Sequence, residues 1–174
     1  MPRRALTPAV LILLLAVGAC GFQPVYGKRS GEVGRQSAVT ADLASIAVSP
    51  IADRAGQLLR NSLLDKLTPR GTPGQAHYRL DVSLTETRSN LVILKDSTST
   101  FAKVRFAADF VLVDLETGQP VHRGQSESTT TFNRVDSDFA TLSAEKDARR
   151  RAADEIGEDI RLRLGLYFNR RRGT

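Results

Sequence analysis

The spacing of apolar and polar positions changes several times along the chain, and each change marks an element. Ala9 to Val17 is an uninterrupted apolar run. Lys28 to Ala41 is polar, contains Gly and Ser, and holds no period, which predicts a tether. Ile46 and Val48 then alternate with Ser45, Ala47 and Ser49, a short strand closed by Pro50, which has no N–H for a ladder. Asp53 is placed to cap a helix in which Ala55, Leu58, Leu59, Leu63 and Leu67 recur at helical spacing. Thr68 to Gly74, with two prolines and two glycines, ends it.

From Tyr78 the period is two. Tyr78, Leu80, Val82 and Leu84 oppose Arg79, Asp81, Ser83 and Thr85, the pattern of a half-buried strand. Lys95 to Thr100 reads as a turn or strand tip. A second strand sets Val104, Phe106, Ala108, Phe110 and Leu112 against Lys103, Arg105, Ala107 and Asp109. Glu116 to Pro120 forms a hairpin turn, and Val121 to Phe132 a third long strand. Its Ser128 to Thr131 stretch has strand propensity with little hydrophobicity, which suits a solvated face or an edge that meets another protein. Caps and turn formers fill Asn133 to Ser143. From Ala144 a long helix carries Ala148, Ala152, Ile156, Ile160 and Leu164 every fourth residue, with charges on its other faces.

The order βαβββα predicts an α+β domain. Two helices would pack on one face of a four-stranded, mostly antiparallel sheet, leaving the other face wet or docked. The divisions expected are a leader over 1–19, a lipidated N-terminus and flexible tether over 20–42, and a single domain over 43–174.

Composition sharpens the N-terminal part most. Arg3 and Arg4 precede the apolar run, and Val17-Gly18-Ala19-Cys20 ends it. A charged start, a short apolar centre and small residues form a secretory signal. An aliphatic residue, two small residues and cysteine add the pattern of a lipobox. A membrane span needs roughly 20 apolar residues, more than this run supplies. Cleavage before Cys20 and acylation of its thiol and amine would hold the chain on a membrane, since each buried CH₂ contributes about 0.8 kcal/mol. Gly21 follows, where an Asp would signal inner-membrane retention, so the outer membrane is the expected address.

Loss of residues 1–19 removes two arginines and no acid, lowering the formal net charge from +6 to +4. That balance names no partner, and secretion argues against nucleic acid. Cys20 is the single cysteine, so neither an intramolecular disulfide nor a thiolate zinc site is available. His77 and His122 lack metal-ligand spacing, and no cofactor is expected. There is no G-x-S-x-G, and the acids fall on helix faces or turns, which leaves a lipid-anchored hydrolase only a remote alternative. Arg170 to Arg172 close the last helix, where cations are favoured by its dipole or could touch an anionic surface.

The segment Cys20-Gly21-Phe22-Gln23-Pro24-Val25-Tyr26, the strand Ile46 to Val48, the helix from Asp53 to Asn61 and the helix from Ala152 to Leu166 together resemble the LptE lipoprotein family in its alphaproteobacterial form. The resemblance implies a non-enzymatic outer-membrane lipoprotein on the periplasmic side. It would plug the LptD β-barrel, assist its assembly, and help deliver lipopolysaccharide to the outer leaflet. An auxiliary lipoprotein of an ABC-type envelope lipid transporter is the alternative. The family's lipopolysaccharide contacts are basic groups near strand tips; by position, Lys95 and then Arg134 are the candidates here.

Overall fold

The computed structural model describes residues 30–69, 71, 74–91, 100–135 and 137–173. The chain divides into two units, 1–34 and 35–174, and the second carries the sheet and the core. Cys20 and Lys95 lie outside the described residues.

The elements are α1 (Ser30–Ala44), β1 (Ile46–Val48), α2 (Asp53–Leu67), β2 (Tyr78–Leu91), β3 (Thr100–Asp114), β4 (Pro120–Arg134) and α3 (Asp138–Gly173). The sheet order is β1-β2-β3-β4. β1 runs parallel to β2, from Ile46 opposite Tyr78 to Val48 opposite Leu80. The other two pairs are antiparallel, with Phe106 standing between Glu86 on β2 and Ser128 on β4. The α+β class and the order of the six expected elements are as the periodicity predicts, with α1 added in front.

Alternation on each strand decides the layers. Leu80 on β2, then Ala102, Val104, Phe106, Ala108, Phe110 and Leu112 on β3, lie buried under α2 and α3. The helices contribute Leu59, Leu63 and Leu67 from α2, and Ala148, Ala152, Ile156, Ile160, Leu164 and Phe168 from α3. Each fully buried Leu, Ile or Phe contributes roughly 1.5–3 kcal/mol. The opposite face shows Arg79, Thr85 and Thr87 on β2, Arg105 and Asp109 on β3, and Gln125, Glu127, Thr129 and Thr131 on β4, all exposed. Arg105 and Glu127 form a two-point ion pair across β3 and β4 on this face, at 2.5 Å for each contact.

Two close approaches require glycine. Gly124 stands opposite Phe110, and a Cβ there would lie 2.5 Å from the ring. Gly157 brings α3 against α2, where a Cβ would lie 2.6 Å from Ser62 Oγ. Beside that contact Ser62 donates to Asp154 at 3.2 Å, and Lys66 Nζ pairs with Asp154 at 2.7 Å.

Four local expectations are corrected. Helix α1 occupies much of the stretch read as a tether. Its anchors are Val39, packed against the core, and Leu43, 8% exposed, two apolar residues one turn apart in a polar segment too sparse to show a period. Asp53 does not cap α2: Ala52 is the N-cap and makes no side-chain cap bond, while Asp53 is the first helical residue. Of the stretch Ser128 to Thr131, Thr129 and Thr131 are exposed as expected, but Ser128 and Thr130 are buried. Ser128 donates to Glu155 at 2.5 Å and Thr130 to the Ala148 carbonyl at 3.0 Å, so α3 supplies the partners that let hydroxyls lie inside. Finally, α3 starts at Asp138, not Ala144, because Ser137 accepts from the Ala140 N–H at 3.4 Å and Thr141 clasps Val135 through two bonds of 3.1 Å.

Candidate binding surfaces

A concavity of about 930 Å³ lies where the N-terminal turns of α2 and α3 flank β2. β2 presents Leu84, Glu86 and Arg88 to it; α2 presents Ala52 to Gly56 and Leu58; α3 presents Leu142, Lys146, Arg149 and Arg150. The alternation of β2 and the four-residue rise of α3 place these side chains together. The floor is apolar, through Leu58, Leu84 and Leu142, and the rim is basic.

Charges within the groove are sorted by pairing. Glu145 is 6% exposed and receives Arg88 at 3.0 Å and Arg149 at 2.9 Å. Arg149 also reaches Glu86 at 2.8 Å. Arg54, Lys146 and Arg150 have no ion pair among the described residues. At the groove's lip Asp53 holds φ at 65°. That region costs an L-residue about 1–2 kcal/mol. Phe139, 80% exposed, precedes Leu142 by one helical turn.

A second cluster lies along α3 toward its C-terminus. His122 stacks on Tyr167 at 5.0 Å with an interplanar angle of 18° and tilts against Phe110 at 5.9 Å. Burial pushes His122 below the ordinary histidine pKa, and Arg170 and Arg163 push the same way. His77 is exposed and its N–H donates to the Ser45 carbonyl at 3.0 Å. Among the described residues no group of three or more His, Cys, Asp or Glu side chains could hold a metal.

The terminal arginines have structural partners. Arg172 grips Asp42 of α1 through two bonds of 2.7 and 2.8 Å, and Arg171 donates to the Tyr78 hydroxyl at 2.8 Å. Arg134, the candidate on a strand tip, is exposed at the end of β4 opposite Thr100, with no ion pair among the described residues. The groove was not foreseen. Its cations come from three elements, and only the run Arg149 to Arg151 stood out along the chain.

The domain thus joins a sheet with one polar, exposed face to a basic groove beside β2. The chain belongs to the LptE family, described as lipopolysaccharide-assembly, whose model matches residues 43–164. A candidate lipoprotein of Caulobacter crescentus CB15 shares 27% identity at a TM-score of 0.65, covering 76% of this chain and 97% of that one. An uncharacterized protein of Rickettsia prowazekii (strain Madrid E), RP188, is 25% identical over 162 residues, 93% of this chain and 97% of its own length. A minor lipoprotein of Acinetobacter baumannii, at 16% identity and TM-score 0.55, covers 70% of this chain and 90% of that one and shares the fold. Family membership places the chain among lipoproteins of lipopolysaccharide assembly. No helix among the described residues is long and apolar enough to cross a membrane.

Proposed function

We propose that this protein is an outer-membrane lipoprotein that sits in the lumen of the LptD β-barrel, assists its assembly, and helps pass lipopolysaccharide to the outer leaflet. In this reading residues 1–19 are removed, Cys20 carries the acyl chains, and the domain faces the periplasm. The observation that carries it, beside family membership, is the open sheet face. Fourteen- and fifteen-residue strands present Ser, Thr, Arg and Glu rather than an apolar surface. The interior of a large membrane barrel is likewise polar, so such a face can enter it without burying unpaired groups against lipid. Lys95 and Arg134 are proposed as phosphate contacts for the lipopolysaccharide headgroup.

The test is affinity capture of the lipidated protein from mild detergent extracts. A large outer-membrane β-barrel should co-purify in stoichiometric amount. Capture of an inner-membrane transporter instead would support the auxiliary-lipoprotein alternative and refute the plug.

A further inference from the structure

One edge of the sheet is left without a strand partner along most of β2 among the described residues. β1 pairs only with Tyr78 to Leu80. From Val82 to Leu91 that edge of β2 has no strand partner among the described residues. The direction of its main chain is fixed by the bonds at its start. The Leu80 carbonyl accepts from Ser49 N–H at 3.0 Å, and Tyr78 N–H reaches the Ser45 carbonyl at 3.4 Å. Even-numbered residues of β2 therefore turn their N–H and C=O outward, toward β1, and odd-numbered ones turn theirs toward β3. Val82, Leu84, Glu86, Arg88 and Asn90 continue that outward row for about 30 Å.

Exposed edges are ordinarily guarded by Pro, Lys, a bulge or a covering element. Residues 82–91 contain neither Pro nor Lys, their charged Glu86 and Arg88 are held by ion pairs with Arg149 and Glu145 of α3, and their pairing with β3 is regular throughout. The chain leaves the edge at Pro50 and turns into α2, so the groove lies beside the open row where a longer β1 would have continued. Every second side chain of an added strand would drop into the groove. There it would meet the apolar floor of Leu58, Leu84 and Leu142, and the cations Arg54, Lys146 and Arg150, which have no ion pair among the described residues.

We propose that the β2 edge binds an extended segment of a partner polypeptide whose groove-facing side chains alternate between apolar and acidic. Main-chain bonds to the even-numbered residues supply affinity, and the groove supplies side-chain selection. The occupant is a polypeptide because the open row offers donors and acceptors at the strand repeat, which a lipid headgroup does not match. This inference is independent of the role in lipopolysaccharide assembly.

The test uses the detergent-solubilised full mature chain and a capped peptide, Thr-Val-Thr-Glu-Thr-Val-Thr-Glu-Thr, followed by amide hydrogen exchange. The amides of Leu84, Glu86 and Arg88 should exchange fast in the free protein and become protected as peptide is added, with half-saturation below about 1 mM. N-methylation of one alternate set of peptide residues should abolish protection, because only that set faces β2. Replacing both Glu by Lys, or introducing Lys146→Glu with Arg150→Glu, should weaken binding at least tenfold with an unchanged circular dichroism spectrum. The proposal is overturned if the peptide gives no protection at that concentration, or if both N-methylated peptides bind as well as the parent. It is equally overturned if the amides are already protected in the free chain, or if phosphatidylglycerol vesicles protect them and the peptide does not.

Discussion

Glu145 Oε1 receives Arg88 Nη1 at 3.0 Å across the gap between α3 and β2, and the carboxylate is almost sealed from water while the guanidinium is 44% exposed. A buried carboxylate without its cations would carry a large desolvation cost, so Arg88 and Arg149 are what permit an acid at this position. The pair ties the first turns of α3 to the strand that floors the groove. Glu145→Gln should destabilise the domain by about 1–2 kcal/mol, since both arginines can still reach water. Urea unfolding should show a lower midpoint with an unchanged slope. A midpoint equal to that of the parent would mean that the carboxylate contributes nothing.

The contact of Gly157 with Ser62 predicts a reversal of the usual helix rule. In an unhindered helix Gly→Ala stabilises by about 1 kcal/mol. Here the added methyl would meet Ser62 Oγ at 2.6 Å. Gly157→Ala should therefore bring no gain in the parent protein, and the gain should reappear in a Ser62→Ala background. A double-mutant cycle should give a coupling of about 1 kcal/mol. Equal stabilisation in both backgrounds would show that the helices have room to spare.

The α2 and α3 stripes were legible because their apolar residues keep a helical period over several turns, and β2 and β3 because theirs alternate strictly. Helix α1 was not, since Val39 and Leu43 are too few to set a period without the core they dock on. The first six residues of α3 were hidden for a related reason: Phe139 and Leu142 are apolar yet exposed, so they do not extend the buried stripe. On β4, hydroxyls read as solvent-facing could be buried because Glu155 and the Ala148 carbonyl wait for them, and such partners are 27 and 18 residues away in sequence. The groove escaped notice for the same reason, its rim being assembled from α2, β2 and α3. Arg134, expected just past a strand ending at Phe132, is the last residue of β4, and nothing in its spacing distinguishes a ligand contact from a solvated charge.

His122 makes stability depend on pH near neutrality. Its folded-state pKa is lowered by burial and by Arg170 and Arg163, so the unfolded chain binds the proton more readily. The stability tied to neutral His122 is present above the unfolded value of about 6.5 and is lost as pH falls through it toward the lower folded pKa. Unfolding free energy should decline between about pH 7 and pH 5.5, and His122→Phe should flatten that segment while keeping the stack on Tyr167. An NMR titration midpoint for His122 at or above 6.5 would contradict this assignment.

Cys20→Ser should abolish incorporation of labelled palmitate and leave the uncleaved precursor, 19 residues longer than the expected mature chain. The folded domain should be unaffected, because the residue is far in sequence from the elements of the core. A variant that is still acylated, or cleaved at the same bond, would remove the lipid anchor from the account.

The role in lipopolysaccharide export is tested by depletion of the protein in living cells, with lipopolysaccharide quantified at the cell surface and the large β-barrel followed by its folding-dependent gel mobility. Surface lipopolysaccharide should fall, and the barrel should accumulate in a misassembled form. Normal surface lipopolysaccharide together with a correctly folded barrel, after the protein has been exhausted, would contradict that role.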